Sequence, residues 1–397
     1  TRATKMLGFD ADGDPVMSTS TVDDIDGAVD IISSSTVSFT NVVNIAALRL
    51  IGSAVSDNDS VTVLGYYAEG DGGGGEFFWD AASTAADNNG TIIKAASVTT
   101  GRWVRLFSGH INVLWFGAYN NNTNSVATNQ AFVDAIASIQ PTYDGNPWDI
   151  ALDEMGRTIY APSGTYSVDI IKIPSWVSLL GDGKRETKIT STTTLTNIVE
   201  MGVDVLTTAQ TDDSYSSNIE KLTIYGQYRN VTGLYCSTIK WTLRDVQILD
   251  CGHDGLIFYD AYIGNAYNLT LYRCALAGAG YASIRLDGRG SGYGENGVAF
   301  FGGEVGGSGY DGIRIEVGNK VVFSNGFLVE GCKRNGFYLQ APSTNVSIHD
   351  CYFEGNATTY TGADINRIGS YVSIQNCFFG QPSANAEACI LANSLNG

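Results

Sequence analysis

The sequence is poor in basic residues, proline and histidine, and it has no long apolar run. Its 397 residues include 23 Lys and Arg against 41 Asp and Glu, a formal net charge of −18, with 7 Pro and 3 His. A surface this acidic repels phosphate backbones, so we expect no nucleic-acid partner. No run of 18 apolar residues occurs and residues 1–30 lack the apolar core of a signal peptide. We therefore expect no membrane contact and no ordinary secretion route.

The sequence also lacks the short motifs of metal, nucleotide and serine-nucleophile sites. Its seven cysteines form no Cys-x-x-Cys pair, and no Gly-x-Ser-x-Gly occurs. The glycines at residues 70–75 and 181–183 are not followed by the Lys-Ser/Thr pair of a phosphate loop. Residues 10–15 begin like a calcium loop, but Pro15 stands where that loop needs glycine, so we interpret them as a turn. We therefore expect no metal and no cofactor.

What the chain has in abundance is turn and strand residues. It contains 47 Gly and many Asn, Ser and Thr, a mixture that suits strands and turns better than helices. The length suits two or three modules. We predict a polar connecting segment at residues 1–52, a small β module at 53–112 and a long repetitive region at 113–397. Short helices are predicted at 41–50 and at 129–139, the latter capped by Thr128 or Asn129.

From about Ser216 onwards the sequence repeats itself every 22 to 29 residues. One strand recurs with its first apolar residue at Leu234, Leu256, Ile284, Ile313 and Phe337. A second strand recurs before four cysteines, which are Cys251, Cys274, Cys351 and Cys377. The variable spacing argues against leucine-rich repeats and favours strands that stack coil upon coil. The predicted fold is all-β, a right-handed parallel β-helix with buried cysteines.

Alternation along the first recurring strand predicts an outward stripe of charged and aromatic side chains. The stripe comprises Tyr259, Arg285, Asp287, Arg314, Glu316 and Tyr338. Aromatic rings pack on sugar rings, and paired carboxylates serve as acid and base or nucleophile in glycoside cleavage. Asp287 and Glu316 are therefore candidate catalytic residues. Their arginine and tyrosine neighbours are candidate substrate-binding residues. The alternative is a surface ladder of ion pairs without chemistry.

Three further carboxylates also recur at about one per coil. Glu304, Glu330 and Glu354 are spaced by 26 and 24 residues. Stacked carboxylates raise the pKa of one member, as an acid catalyst requires, so Glu304 and Glu330 are candidate catalytic residues as well. The alternative is that these carboxylates accept hydrogen bonds from backbone N–H groups in turns.

The order of these parts resembles the tailspikes of tailed bacteriophages, which have a pectate-lyase-like β-helix. The stretches that carry the resemblance are residues 8–16, 66–79, 101–105, 113–118, 129–139, 159–181 and 353–356. Residues 8–16 correspond to the virion-proximal segment, and residues 66–79 and 101–105 both correspond to the head module. The other four ranges correspond, in order, to the opening coil, the capping helix, the first rungs and a rung motif. One departure is that residues 119–125 replace the Asp-Gly and Thr-Asp stretch usual in the opening coil.

The resemblance implies a function, a location and an assembly. It implies a virion tailspike that binds bacterial capsule or O-antigen and depolymerises it, by hydrolysis in preference to elimination. The alternatives are a non-catalytic adhesin and a polysaccharide lyase. It also implies a homotrimer, attached to other tail proteins through its N-terminus. Assembly in the reducing host cytoplasm implies free thiols. No C-terminal trimerising module is recognisable before Gly397.

Overall fold

The computed structural model describes most of the chain. The described residues are 7–9, 15–17, 40–52, 55–139, 157–192, 197–202, 216–259, 261–287, 295–340, 344–368 and 371–393. Strands β1 (Leu7–Phe9) and β2 (Pro15–Met17) pair antiparallel. Residues 10–14 of the predicted turn lie outside the described residues. No helix within these ranges is both long and apolar enough to cross a bilayer.

A small sheet forms the first module. It contains helix α1 (Ile45–Leu48) and strands β3 (Thr40–Val42), β4 (Ser60–Val63), β5 (Gly75–Asp80), β6 (Ile92–Ile93) and β7 (Arg102–Arg105). The strand order is β3-β4-β5-β7-β6. The rings of Trp79 and Trp103 meet edge to face at 5.2 Å in its core. Because β3 and α1 belong to this sheet and its core, the module extends further towards the N-terminus than residue 53.

This module is fixed to the opening coil by aromatic and buried cationic contacts. The Tyr67 hydroxyl donates to the Gly117 carbonyl at 3.1 Å, and its ring stacks on Tyr119 at 4.8 Å. The buried Arg105 guanidinium lies 4.9 Å from the centroid of Trp115. Burial lowers the pKa of Arg105 to about 10. The β module and the opening coil are therefore packed against each other through both polar and apolar contacts.

A 3₁₀ turn (Val113–Phe116) and helix α2 (Ser125–Ala137) close the first end of the repetitive region. The helix begins before the predicted residue 129, and its N-cap is Asn124, whose side chain accepts from the Ala127 N–H at 3.3 Å. The predicted caps have other partners. Thr128 Oγ1 accepts from the Tyr119 N–H, and Asn129 Oδ1 accepts from the N–H of residues 169 and 170. The expected capping residues thus fasten the helix to the coils beneath it.

The remaining strands form two parallel sheets. In chain order they are β8 (Ile111–Asn112), β9 (Arg157–Ala161), β10 (Gly164–Val168), β11 (Ile171–Ile173), β12 (Val177–Gly181), β13 (Thr187–Ser191), β14 (Asn197–Met201), β15 (Asn218–Tyr225), β16 (Thr232–Cys236), β17 (Thr242–Leu249), β18 (Leu256–Phe258), β19 (Tyr262–Tyr272), β20 (Ala282–Leu286), β21 (Glu295–Gly306), β22 (Asp311–Ile315), β23 (Gly318–Ser324), β24 (Leu328–Glu330), β25 (Phe337–Leu339), β26 (Thr344–His349), β27 (Tyr352–Glu354), β28 (Gly362–Ile368), β29 (Val372–Gln375), β30 (Phe378–Phe379) and β31 (Ala386–Asn393). One sheet has nine strands and the other fifteen. The predicted parallel β-helix is confirmed.

The fifteen-stranded sheet bends at a column of residues in the left-handed conformation, one in each coil. Their φ angles lie between +51° and +62°, and they are Lys221, Asp245, Asn268, Gly302, Asn325, Asp350 and Asn376. Gly, Asn and Asp accept this conformation at the lowest cost. We call the nine-stranded sheet face A, the part of the larger sheet before this column face B, and the part after it face C. A second left-handed column ends face C, at Asp250, Arg273, Gly307, Gly331 and Gly355.

The register confirms one predicted column and corrects the other. On face A, Leu234, Leu256, Ile284, Ile313 and Phe337 lie directly above one another. The second recurring strand is in fact two. Val246 and Leu269 begin segments of face C, whereas Val346 lies on face B, above Val321. The error has a physical cause, because both bends demand a left-handed residue after an alternating strand, so the same short motif marks two different corners.

The cysteines follow the corrected alignment. Cys251 and Cys274 follow the second bend in adjacent coils and are fully buried. Cys351 and Cys377 follow the first bend, and Cys377 is only partly buried. All seven cysteines are free in the structure.

Gly303 provides a test of this stacking. It has φ +105°, and a Cβ there would lie 2.2 Å from the Leu269 carbonyl oxygen. Gly326, just after the first bend of the next coil, has φ +73° and open space around the missing Cβ. We expect Gly303→Ala to lower the free energy of unfolding by at least ~3 kcal/mol and Gly326→Ala by only ~1 kcal/mol, the cost of left-handed strain alone. Urea unfolding measures both, and equal losses would contradict the assigned register.

Candidate functional site

The predicted stripe lies on face A in the expected register but is not open to solvent. Arg285 pairs with Arg314, which pairs with Tyr338, so Asp287 and Glu316 occupy adjacent coils. Asp287 was expected to project outward, yet it is only 3% exposed. The side chains of Arg285, Arg314 and Glu316 are 15, 20 and 15% exposed. The stripe is therefore largely buried.

Ion pairs explain this burial. Arg285 Nη2 lies 2.9 Å from an Asp254 carboxylate oxygen, and Arg285 Nη1 lies 4.0 Å from an Asp287 carboxylate oxygen. Arg314 and Glu316 approach to 2.9 Å. Asp254 was not predicted, because it lies on the turn before its strand. Burial raises its pKa to about 6 although the Arg285 charge opposes the shift. These contacts favour the ion-pair alternative for face A.

The two tyrosines of the stripe are also engaged by neighbours. The Tyr338 ring lies 5.2 Å from the guanidinium of Arg314 and 4.6 Å from that of Arg334. Tyr259 stacks on Tyr235 with ring centroids 5.9 Å apart. The Tyr338 ring thus covers two guanidinium groups, and the rings of Tyr259 and Tyr235 cover each other.

The second predicted set lies on face C, with a correction to its alignment. Glu304 is level with Leu328, whereas Glu330 is level with Gly306 and Glu354. Glu304 and Glu330 therefore differ by one coil and by two residues along the strand. With ~4.8 Å between strands and ~3.3 Å per residue, their Cα atoms are about 8 Å apart.

The surroundings of Glu304 favour its protonated form. Burial raises the pKa of Glu304, and the negative charge of Glu330 raises it further, while Lys184 opposes both. The Lys184 ammonium donates to Thr270 Oγ1 at 3.2 Å and to the Asn268 carbonyl. A carboxyl group that tends to keep its proton beside a second carboxylate is the arrangement that general acid catalysis needs.

Glu304 lies at one end of a groove along face C. The groove has a volume of about 490 Å³ and is lined by Arg185, Lys188, Thr223, Gln247, Leu249, Thr270, Tyr272, Arg273 and Glu304. The Tyr272 ring lies across Gly306, where a Cβ would come within 2.7 Å of the ring. Arg273 is paired with Asp250 at 2.5 Å. Sequence reasoning missed this groove because the coils before Ser216 carry no recognisable repeat.

The described residues offer no metal centre. Within these ranges no three His, Cys, Asp or Glu side chains are grouped so that they could hold an ion.

Comparisons with known proteins support the architecture. Residues 41–108 match the model of the phage tail protein small four-stranded β-sheet domain. No curated protein matches the chain. The enzymatically active domain of tailspike protein 2 from bacteriophage CBA120 is 14% identical, with a TM-score of 0.64 over 91% of this chain and 58% of that one. The gp42 tailspike of Acinetobacter phage vb_AbaP_AS12 is 15% identical, with a TM-score of 0.60 over 87% and 64%.

A bacterial protein has the same architecture. WceF of Pantoea stewartii, described as a glycan biofilm modifying enzyme with a tailspike-like parallel β-helix, is 12% identical, with a TM-score of 0.62 over 100% of this chain and 55% of that one. The chain thus spans less than two thirds of the length of each of these three proteins. It has the tailspike-like parallel β-helix fold, preceded by a phage-tail β module.

The raised pKa of Asp254 predicts a specific pH dependence of stability. Its folded pKa of about 6 lies above the ordinary value near 3.9, so between these values the folded chain binds a proton at Asp254 that the unfolded chain does not. This group therefore makes the free energy of unfolding rise, by on the order of 1 kcal/mol, as the pH falls from 7 to 5. Asp254→Asn should remove that rise. Urea unfolding of both proteins across this range would contradict the assignment if their difference stayed constant.

Proposed function

We propose that the chain is part of a phage tailspike that binds a bacterial surface polysaccharide along face C and hydrolyses its glycosidic bonds. The observation that carries the proposal is the offset pair formed by Glu304, which lines a groove with aromatic and cationic side chains, and Glu330, one coil beyond it. The likeness in fold supports it, since the CBA120 domain is described as enzymatically active and WceF as glycan-modifying. The phage-tail β module supports a place in the virion.

The proposed chemistry assigns one role to each carboxylate. Glu304 donates its proton to the oxygen of the leaving sugar, and Glu330 removes a proton from the attacking water. We propose that the water lies between the two side chains, so that the configuration at the anomeric carbon is inverted. Tyr272 offers a ring face for a sugar ring beside the pair.

We assign the reaction to face C in preference to face A for an electrostatic reason. Asp287 and Glu316 both lie against arginines, and the rings of Tyr259 and Tyr338 are stacked on neighbours. A carboxylate that is mostly buried against a guanidinium has little surface left to contact a glycosidic oxygen. The face A residues then serve the stability of the coil stack.

The proposal also covers the oligomeric state of the protein and its location in the virion. We propose that three copies form a closed homotrimer in the virion tail. The N-terminal segment would join other tail proteins, and assembly would take place in the host cytoplasm. A cyclic trimer leaves no open interface along which copies could add without limit.

Substitution of the paired carboxylates tests the hydrolase. Glu304→Gln and Glu330→Gln keep the shape of the side chains, so each should retain binding and lower turnover by at least ~100-fold. Asp287→Asn and Glu316→Gln are the matched controls on face A and should keep most of the activity. The measurement is release of reducing ends from a panel of purified capsules and O-antigens.

Other outcomes of the reducing-end assay would identify a different site or a different activity. Inactive face A variants with active face C variants would move the site to face A. Products with an unsaturated, ultraviolet-absorbing end would identify a lyase. A wild-type protein that binds a polymer and leaves its length unchanged would be an adhesin.

Light scattering tests the assembly. The chain mass is 42.3 kDa, so the intact protein should give about three times this value. A stable monomer that still binds polysaccharide would contradict the trimer.

A further inference from the structure

Two cations, Arg185 and Lys188, stand together at the N-terminal end of the groove on face C, and Lys184 reaches from the same turn along the groove to Thr270. Lys184 and Arg185 lie on the turn before β13, and Lys188 projects from β13 itself. Within the described part of the chain, no carboxylate lies within 4.0 Å of any of the three. The charges of Asp245 and Glu304 act on Lys184, so Arg185 and Lys188 are the neighbouring pair without an acidic partner at this distance, and in a chain with a net charge of −18 such a pair favours an anionic ligand.

Arg185 has an unusual backbone conformation for its residue type. Its φ is +80°, in the left-handed region where glycine carries no steric cost and arginine does. The turn is held by the N–H groups of Glu186 and Thr187, which both donate to the Gly183 carbonyl at 3.2 Å. The Arg185 N–H donates to Thr223 Oγ1 at 3.3 Å. A strained residue kept in place by its surroundings points to a use for its side chain.

The three cations differ in how firmly they are held. Lys184 is tied down by its bonds to Asn268 and Thr270, and burial lowers its pKa while Asp245 and Glu304 oppose the change. Lys188 lies 5.2 Å from the centroid of the Tyr225 ring. The head groups of Arg185 and Lys188 donate no hydrogen bond to any residue that the structure describes. They are the two that are available to an incoming anion.

The register fixes how far these cations lie from the carboxylate pair. Lys188 and Glu304 belong to one outward column, separated by Thr223, Gln247 and Thr270. Four coil spacings of ~4.8 Å place their Cα atoms about 19 Å apart. The Thr223 hydroxyl is buried and donates to Gln247 Oε1 at 3.2 Å. The column itself therefore runs from a cation through neutral side chains to a carboxylate, with the Lys184 ammonium beside it at Thr270.

We propose that this groove selects an acidic glycan, and that Arg185 and Lys188 bind the carboxylate of a uronic-acid sugar several units away from the bond that is cleaved. Arginine binds a carboxylate through two parallel hydrogen bonds, and lysine adds a point charge. The position of the cleaved bond rests on the function proposed above for Glu304 and Glu330. Recognition of the uronate does not require cleavage.

The test is a binding assay with a matched pair of probes. Fluorescein-labelled tetragalacturonate carries the carboxylates, and the same tetrasaccharide with its carboxyl groups reduced to alcohols is the neutral counterpart. Fluorescence polarisation should show binding of the acidic probe, weakened by salt, and at least tenfold weaker binding of the neutral one. Tenfold corresponds to about 1.4 kcal/mol.

The variants separate the ligand contact from folding. Arg185→Gly removes the cation and the backbone strain together, so we expect unchanged or higher thermal stability with at least tenfold weaker uronate binding. Lys188→Met should weaken binding to a similar degree. The control is Lys240→Gly, because Lys240 is also an exposed cation in the left-handed region, with φ +58°, but lies between faces A and B. Lys240→Gly should bind like the wild type.

The outcomes distinguish this inference from the hydrolase proposal. Equal binding of both probes, binding of neither, full binding by Arg185→Gly and Lys188→Met, or an equal loss in Lys240→Gly would each overturn the inference. Uronate binding by a protein that shortens no polysaccharide would sink the hydrolase and leave the inference standing. Cleavage of neutral polymers without uronate binding would do the reverse.

Discussion

Each coil of this solenoid must turn where the coil beneath it turns, because parallel backbone hydrogen bonds fix the register between them. The two left-handed columns on either side of face C are the direct result. At each corner the sequence supplies mostly Gly, Asn or Asp, and at Arg273 the cost is offset by an ion pair with Asp250 in the adjacent coil. Once the corners are set, the inward residues fall into apolar columns and the outward residues fall into straight lines.

Those straight lines are what make a site from residues far apart in the chain. Lys188 and Glu304 share one line, and Glu330 and Glu354 share the next. A linear polymer presents its sugars at regular intervals, so a surface whose side chains recur at the coil spacing can contact several sugars in succession. Face A has the same geometry, but its lines are filled by arginine–carboxylate pairs that satisfy one another. The difference between the two faces lies in charge pairing, not in fold.

The sequence allowed the fold to be predicted because the apolar residues of face A recur in the same local motif, from Leu234 to Phe337. It also allowed the positions of Asp287 and Glu316 to be predicted, but not their burial, since Asp254 reaches the stripe from a turn. The alignment of Glu304 with Glu330 failed by two residues because spacing along the chain counts loop residues as well as strand residues. The cations of the groove were missed because contacts such as that between Lys184 and Thr270 span 86 residues.

The joint between the β module and the opening coil has a mechanical consequence. Because Tyr67 stacks on Tyr119 and Arg105 packs on Trp115, the β module is not free to rotate against the coils. The module and the coils therefore move as one rigid body. The hydrogen bonds between coils run along the axis of the stack and are therefore loaded in series by an axial pull, which opens one coil at a time. A sideways load is instead shared by many coils at once. The molecule is accordingly stiff against bending and weakest when drawn out along its own length.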